Sequence, residues 1–430
     1  MRKIPLKTKP EMTRQKFLPF PFPLMLPALL IILVAAFGWI TTLQAKTFFS
    51  GSSRSLFLYR ENYTGQGYGN SEHNLRFFKS VRMKLVGRGK KNSLGFHTFF
   101  RVSRDLNIDY EDDPLSSLYN CYLEWKRGRL SAALGRQWLH LGSGSLTLDG
   151  VRVGYAGPGS LDLTGYLGTE SPYTRHFNLQ GWDRAKAGGV YLNAKVHRRI
   201  KVGAGFQQKE RLGVTAMRET GLDARARLPG RVRLSGRLDL NLLTDRIQRG
   251  VFRVSRRGQG KWNFYSEYKH YEPRLFYQSY FRRFNPRSND QVRAGATYYL
   301  RPEFTLTGSY SAIFFQDENN CYLSLGLGCP YGSATLYRGD GYGGDEFGFA
   351  AGVTYPLCEK LELFADIDYS RYRLYEDEDR DCLFSSIFGF NWRPRKNVLA
   401  GVELQDLNNN VLSSDWRLLV NFSVNHRKIF

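Results

Sequence analysis

The stretch from Leu222 to Leu242, LDARARLPGRVRLSGRLDLNL, restricts the fold more than any other part of the chain. Leu222, Ala224, Ala226 and Leu228 alternate with Asp223, Arg225 and Arg227. After Pro229-Gly230, the residues Val232, Leu234, Gly236, Leu238, Leu240 and Leu242 alternate with Arg233, Ser235, Arg237, Asp239 and Asn241. Successive strand side chains point to opposite faces, so this hairpin has one apolar face and one ladder of arginines. A chain that repeats the pattern to its end, with almost no helical period, puts the apolar face against lipid and the arginines around a water-filled lumen.

The repetition is clear. Tyr119, Cys121, Leu123 and Trp125 alternate with Asn120, Tyr122 and Glu124, and Val190, Leu192, Ala194 and Val196 alternate with Tyr191, Asn193 and Lys195. Val292 to Tyr298 and Leu361 to Tyr369 behave alike. Segments of about ten residues match the length of a tilted strand that crosses the hydrocarbon core. Connections alternate in kind. Tight ones occur at Gly87 to Asn92, Lys126 to Arg129, Ala156 to Ser160, His197 to Lys201, Leu228 to Arg231, Leu300 to Phe304, Pro356 to Lys360 and Arg393 to Asn397. Longer polar ones run from Gly168 to Ala187, His270 to Asp290 and Gln316 to Asp345. The predicted fold is all-β: one transmembrane antiparallel up-and-down β-barrel of about 18–20 strands over residues 46–430, with its short turns in the periplasm.

The first residues are basic (Arg2, Lys3, Lys7, Lys9, Arg14, Lys16), and an apolar run follows from about Leu24 to Ile40. This is the order of a secretory signal, placed at residues 1–45 with cleavage after Ala45. The run is also near the length of a membrane anchor. Without those residues the formal net charge falls from +23 to +18, as six bases and Glu11 are lost. An exported chain does not normally meet a genome, so this excess argues for anionic solutes or surfaces rather than nucleic acid. Five cysteines do not make a disulfide scaffold, although Cys321 and Cys329 lie close enough in sequence to suggest a bridge. No CxxC, CxxCH, GxSxG or HExxH occurs, so neither cofactor nor metal is expected and no catalytic constellation emerges.

The final strand, WRLLVNFSVNHRKIF, places Trp416, Leu418, Val420, Phe422 and Val424 on one face and stops on Phe430. It resembles the terminal signal by which bacterial outer-membrane barrels meet the barrel-assembly machinery, with His426 and Lys428 where that signal has apolar residues. The segment GRQWLHLGSGSLTLDGVRVGY (Gly135 to Tyr155) resembles porin-like and alginate-export-like barrels of Gram-negative bacteria. The match touches Gly135, Arg136, Gln137, Asp149, Gly150 and Arg152. It implies an outer-membrane barrel, bounded by lipid, that passes solutes or an anionic polysaccharide through an arginine-rich lumen. Arg136 shares the parity of Leu134, so it reaches the lumen only through a bulge. Asp149 and Arg152 are expected to pair as a clasp.

With the apolar parity toward lipid, the lumen receives Arg82, Lys84, Arg101, Arg152, Lys195, Arg225, Arg227, Arg233, Arg237, Arg249, Arg253 and Arg293. Glu362, Asp366 and Asp368 share one late strand and form an opposing acidic wall. The fork of arginine suits carboxylate and phosphate. Three functions remain open: a porin-like channel for small anions or an acidic saccharide, a sheath around a periplasmic multihaem cytochrome or other lumen partner, and an outer-membrane enzyme. The channel is the leading one.

Overall fold

The computed structural model describes residues 46–430 except 65–69, 109–112, 114, 143, 259, 276–287, 317, 342–343, 374–378 and 410–414, with backbone alone at 61–64, 70–72 and 409. The expected leader and its cleavage site fall outside the described residues, as does most of the longer polar connection expected between His270 and Asp290.

Twenty-two strands follow one another. The first eleven are β1 (Lys46–Thr64), β2 (Asn70–Arg88), β3 (Asn92–Asp105), β4 (Leu115–Arg127), β5 (Leu130–Leu141), β6 (Gly144–Ala156), β7 (Leu161–Glu170), β8 (Ala185–His197), β9 (Ile200–Arg211), β10 (Val214–Arg227) and β11 (Val232–Asn241). The others are β12 (Arg246–Arg257), β13 (Trp262–Tyr271), β14 (Asn289–Arg301), β15 (Phe304–Phe314), β16 (Asn319–Cys329), β17 (Gly332–Gly341), β18 (Asp345–Cys358), β19 (Leu361–Arg373), β20 (Asp381–Arg395), β21 (Val398–Asn409) and β22 (Asp415–Ile429). Each pairs antiparallel with the next, and β1 pairs with β22 from Phe48↔Ile429 to Arg60↔Arg417, which closes the ring. At ordinary strand spacing and tilt, such a ring is about 40–45 Å across.

The count exceeds 18–20 for a specific reason: Gln316 to Asp345 is not one long loop. It holds β16 and β17, paired from Asn320↔Gly341 to Cys329↔Gly332. Leu323, Leu325 and Leu327 are exposed on the lipid face there, while the opposite face carries Ser324, Gly326 and Gly328, which disguise a strand as a loop. The same strand overturns the expected disulfide. Cys321 and Cys329 stand near its two ends, about 26 Å apart at strand rise, and both thiols are free.

The eight tight connections all lie at the end of the barrel that carries Lys46 and Ile429, joined there by the turns 258–261 and 329–332. The apolar parity is exposed along most of the wall, with Leu85 of β2 and Phe96 of β3 buried exceptions; Leu222, for example, is 58 % exposed, as a lipid-facing residue is once lipid is removed. Several inward rings lie flat over a glycine of the next strand. Tyr337 covers Gly348, Tyr265 covers Gly295 and Phe364 covers Gly389, where a Cβ would collide with the ring. The device keeps aromatics against the wall and out of the lumen.

One hairpin leaves the wall. β4 pairs with β5 only from Cys121↔Arg136 to Arg127↔Leu130, and β6 pairs with β7 only from Leu148 onward. Gln137–Leu141 and Gly144–Thr147 therefore pair with each other and fold inward, with only the Thr147 carbonyl still accepting from the Ser171 N–H beyond β7. Leu139, Leu146 and Leu148 bury against Tyr166 of β7 and Ala187 of β8. The departure starts at Gly135, whose φ of +120° lies in the glycine region and whose Cβ would strike the Cys121 carbonyl. Gly135→Ala is expected to cost about 1–3 kcal/mol of stability, seen as a lower urea midpoint for loss of the heat-modifiable folded band in detergent.

Candidate functional site: the lumen

Period-2 alternation and an unbroken register carry the arginine hairpin to the inner wall. Arg225 is level with Ser235 of β11, which is level with Arg253 of β12, then Glu267 of β13 and Arg293 of β14. Two register pairs nearer the turn, on the same face, Arg227 faces Arg233, which faces Ser255. A recess of about 740 Å³ opens over this wall; its lining includes Arg225, Arg227, Arg233, Arg249 and Arg253, together with His140 and Gly142 of the inward hairpin, which lies against Tyr191 of the neighbouring β8. The hairpin thus borders the lumen beside the arginine wall, with Trp138 67 % exposed at its base, level with Thr147.

The charges on that wall are unequally engaged. Arg237 donates to both oxygens of Asp239 at 3.1 and 2.9 Å, and Arg253 stands 3.9 Å from Glu267. Among the described residues, Arg225, Arg227 and Arg233 have no carboxylate within ion-pair distance. Tyr191 donates to Asp223 at 2.9 Å, which occupies the acid of the hairpin. Three cations therefore face water with their forks open, the arrangement that attracts anions.

A second basic region lies on β1–β4 and the closing seam. Arg82 sits 4.7 Å over Phe99, and Arg101 lies between Phe78 and Tyr119 at 5.9 and 5.8 Å. Arg82 and Lys84 also line a recess with Ser50, Ser52, Lys396 and Arg427. Lys195 is exposed near the end of β8. Glu362, Asp366 and Asp368 do share the inner face of β19, where Glu362 lies 3.4 Å from Arg393 and Asp368 accepts from Tyr337 at 2.7 Å. β19 stands eight strands from β11 in a ring of twenty-two, so the acidic patch is set obliquely to the arginine hairpin rather than straight across. The strands that face β11 across the ring are β22 and its neighbours.

The segment Gly135 to Tyr155 has a role its pattern did not reveal. Asp149 does not pair with Arg152, which instead donates to Glu124 at 3.2 Å. Its partner is Arg136, in a two-pronged pair at 2.6 and 2.8 Å. Arg136 also donates to the carbonyls of Leu118, His176 and Asn178. With side chains 2 % and 4 % exposed, Arg136 and Asp149 are a buried clasp that ties the inward hairpin to the β7–β8 connection. Arg136 is therefore not pore-lining. A second anchor comes from the β13–β14 connection, where Arg274 reaches Glu219 at 3.3 Å and Asp239 at 3.4 Å, both fully buried on the inner wall. Gln248 holds the same segment through the Glu272 carbonyl at 2.6 Å. Sequence reasoning missed Arg274, Glu219 and the inward fold. The one signal present was the glycine pair Gly142 and Gly144, where a Cβ would meet Tyr191 and Gln207.

No protein-family model matches the chain, and no curated protein sequence does. Among solved structures, the chain is similar to OccK9 (OpdG) of Pseudomonas aeruginosa, at 12 % identity and a TM-score of 0.47 over 89 % of this chain and 98 % of that one. It is similar to OccAB2 of Acinetobacter baumannii at 10 % and 0.43, with 89 % and 98 % covered. The outer membrane protein OpdK of Pseudomonas aeruginosa follows at 9 % and 0.38, with 89 % and 99 % covered. These values are low, and the barrel assignment stands on its closed hydrogen-bond register.

Removing Arg136 alone leaves a buried carboxylate without its counter-ion. Arg136→Ala is expected to destabilise by about 3–5 kcal/mol and to open residues 137–147 to limited proteolysis. Arg136→Met combined with Asp149→Leu removes both charges and is expected to restore much of the lost stability.

Proposed function

We propose that the protein is a porin-like channel of the bacterial outer membrane, and that its lumen prefers small anionic solutes or an acidic saccharide. The observation that carries the preference is the open arginine wall: Arg225, Arg227 and Arg233 face the lumen without ion-pair partners, beside a recess bordered by the inward hairpin. A cation cluster in a low-dielectric cleft concentrates counter-ions and lowers their barrier to passage. The apolar outer face requires lipid as its solvent, and a closed barrel of strands suits the outer membrane. In this orientation the tight turns and both ends of the strand series lie on the periplasmic side. Lipid is then the partner of the outer wall, and the strand that ends at Phe430 is the segment offered to the barrel-assembly machinery.

The mechanism is passive. An anion enters from either mouth, sheds part of its hydration beside the inward hairpin, and exchanges among the forks of Arg225, Arg227, Arg233 and Arg253. No single site holds it tightly enough to stop the flow, because each cation is water-exposed. Arg237 is partly neutralised by Asp239 and contributes less. The uncharged inner rows of β15–β17, with Thr307, Ser309 and Ser324, and Thr297 of β14 supply hydroxyls along the path. A sheath around a folded lumen protein fits less well, since such a partner would have to displace the anchored hairpin and the Arg274 segment. The seven histidines are dispersed and no GxSxG or HExxH occurs, which supports a channel over an enzyme.

Reversal potentials in planar bilayers under a salt gradient test the preference. The wild-type protein is expected to be anion-selective, and Arg225→Gln, Arg227→Gln, Arg233→Gln and Arg237→Gln together are expected to bring the permeability ratio toward unity. A cation-selective wild-type channel contradicts the reading. Selectivity is also expected to weaken between about 0.1 and about 1 M salt, as the screening length falls from about 10 to about 3 Å.

A further inference from the structure

The upper part of the outer wall carries cations on the lipid-facing parity, and most are held by the protein. Lys186 lies 3.7 Å from Glu210, Arg218 donates to Gln208 at 3.0 Å, and Arg373 meets Asp345 at 2.6 Å. Arg338 and Arg371 differ. Arg338 follows Leu336 on the outward face of β17, and Arg371 follows Tyr369 on that of β19. Both are exposed, and among the described residues neither makes an ion pair. Asp340, two residues beyond Arg338, forms no ion pair with it, and Asp345 is engaged by Arg373 and Arg380.

The register brings the two arginines together. Arg338 is level with Phe347 of β18 from one side and Arg371 is level with it from the other, with Phe347 57 % exposed between them. Their backbones are two strand spacings apart, about 10 Å, so both guanidinium groups can close on one group lying over Phe347. The height is also defined. Leu357 is the last large exposed apolar residue of β18, and Phe347 lies ten residues above it, about 33 Å of strand and about 25 Å of height at barrel tilt. The apolar band of such a barrel is about 25 Å tall. The pair therefore stands at the extracellular border of the band, with Leu336, Phe349, Val353 and Ile367 beneath it.

We infer that Arg338, Phe347 and Arg371 form an outward binding site for the phosphorylated headgroup of an outer-leaflet glycolipid. The inference rests on the outer-membrane orientation given above, which turns this edge toward the cell exterior. Two arginine forks match a phosphate bidentately, and partial exclusion of water at the interface strengthens the contact. A free phosphate would meet the same forks, but acyl chains in addition lie along the apolar rows beneath Phe347, so the lipid is the occupant that uses the whole surface.

The test uses the full chain folded in detergent and titrated with diphosphorylated lipid A, with binding read by native mass spectrometry. Wild-type protein is expected to hold the lipid, with dephosphorylated lipid A and inorganic phosphate each binding at least about tenfold more weakly. The double variant Arg338→Gln, Arg371→Gln is expected to lose affinity at least about tenfold while keeping its heat-modifiable mobility and its ion selectivity, since neither residue faces the lumen. Equal binding by variant and wild type overturns the inference, as does wild-type binding of inorganic phosphate as tight as that of the lipid. A wild-type protein that shows no heat-modifiable barrel and no conductance overturns instead the channel reading on which the site depends.

Discussion

Closure of the sheet between β1 and β22 is the constraint on which everything else depends. In hydrocarbon, an unpaired backbone N–H or carbonyl costs several kcal/mol, so a strand wall survives only when its last strand finds its first. The long pairing from Phe48↔Ile429 to Arg60↔Arg417 meets that requirement and leaves no edge. Once the ring is closed, side-chain direction is no longer independent at each position. Every residue turned to lipid forces its neighbours toward water, and the polar interior follows from the same alternation as the apolar exterior.

A ring of twenty-two strands is wide, and its interior would be a plain aqueous bore if nothing entered it. Among the described residues two segments turn inward, and each is held by an arginine set among buried acceptors. Arg136 fastens the β5–β6 hairpin through Asp149 and three carbonyls, and Arg274 fastens residues 272–275 after β13 to Glu219 and Asp239. Buried pairs of this kind add little net stability over apolar packing, but losing one member is costly, so they specify a position more than they strengthen the fold. The arginines of β10–β12 are chemically identical and do the opposite. Arg225, Arg227 and Arg233 have water and a shared like charge for neighbours, which leaves their forks available. Environment, not residue type, separates the structural arginines from those that face the solute path.

Much of the wall was legible from residue order. The alternation around Leu222, the tight connections and the aromatic last strand all occupy the places that their pattern implied, because a two-residue period and a turn are local properties. The two extra strands escaped notice because Ser324, Gly326 and Gly328 on the inner face of β16 remove the contrast that marks a strand, and glycine there only makes room for neighbouring side chains. Cys321 and Cys329 are close in sequence but not in space, because an extended backbone makes eight residues a long span. The partner of Asp149 was misassigned for a related reason. Arg152 is nearer in sequence, but it faces Glu124 on β4, whereas Arg136 is its register partner across the hairpin.

By itself, the order of residues determined which side of each strand meets lipid and which meets water, and that the watery side would be rich in arginine. That follows from strand geometry alone, since adjacent side chains must diverge. Only the tertiary structure decided how many strands share the ring, where a hairpin abandons the wall at Gly135, and which arginines are spent on buried carboxylates. Those outcomes depend on contacts between segments far apart in the chain: a carboxylate found by Arg274 from another strand pair, or a carbonyl found by Arg136 in the next connection. No local period carries that information, because it exists only once the ring has closed and brought those groups together.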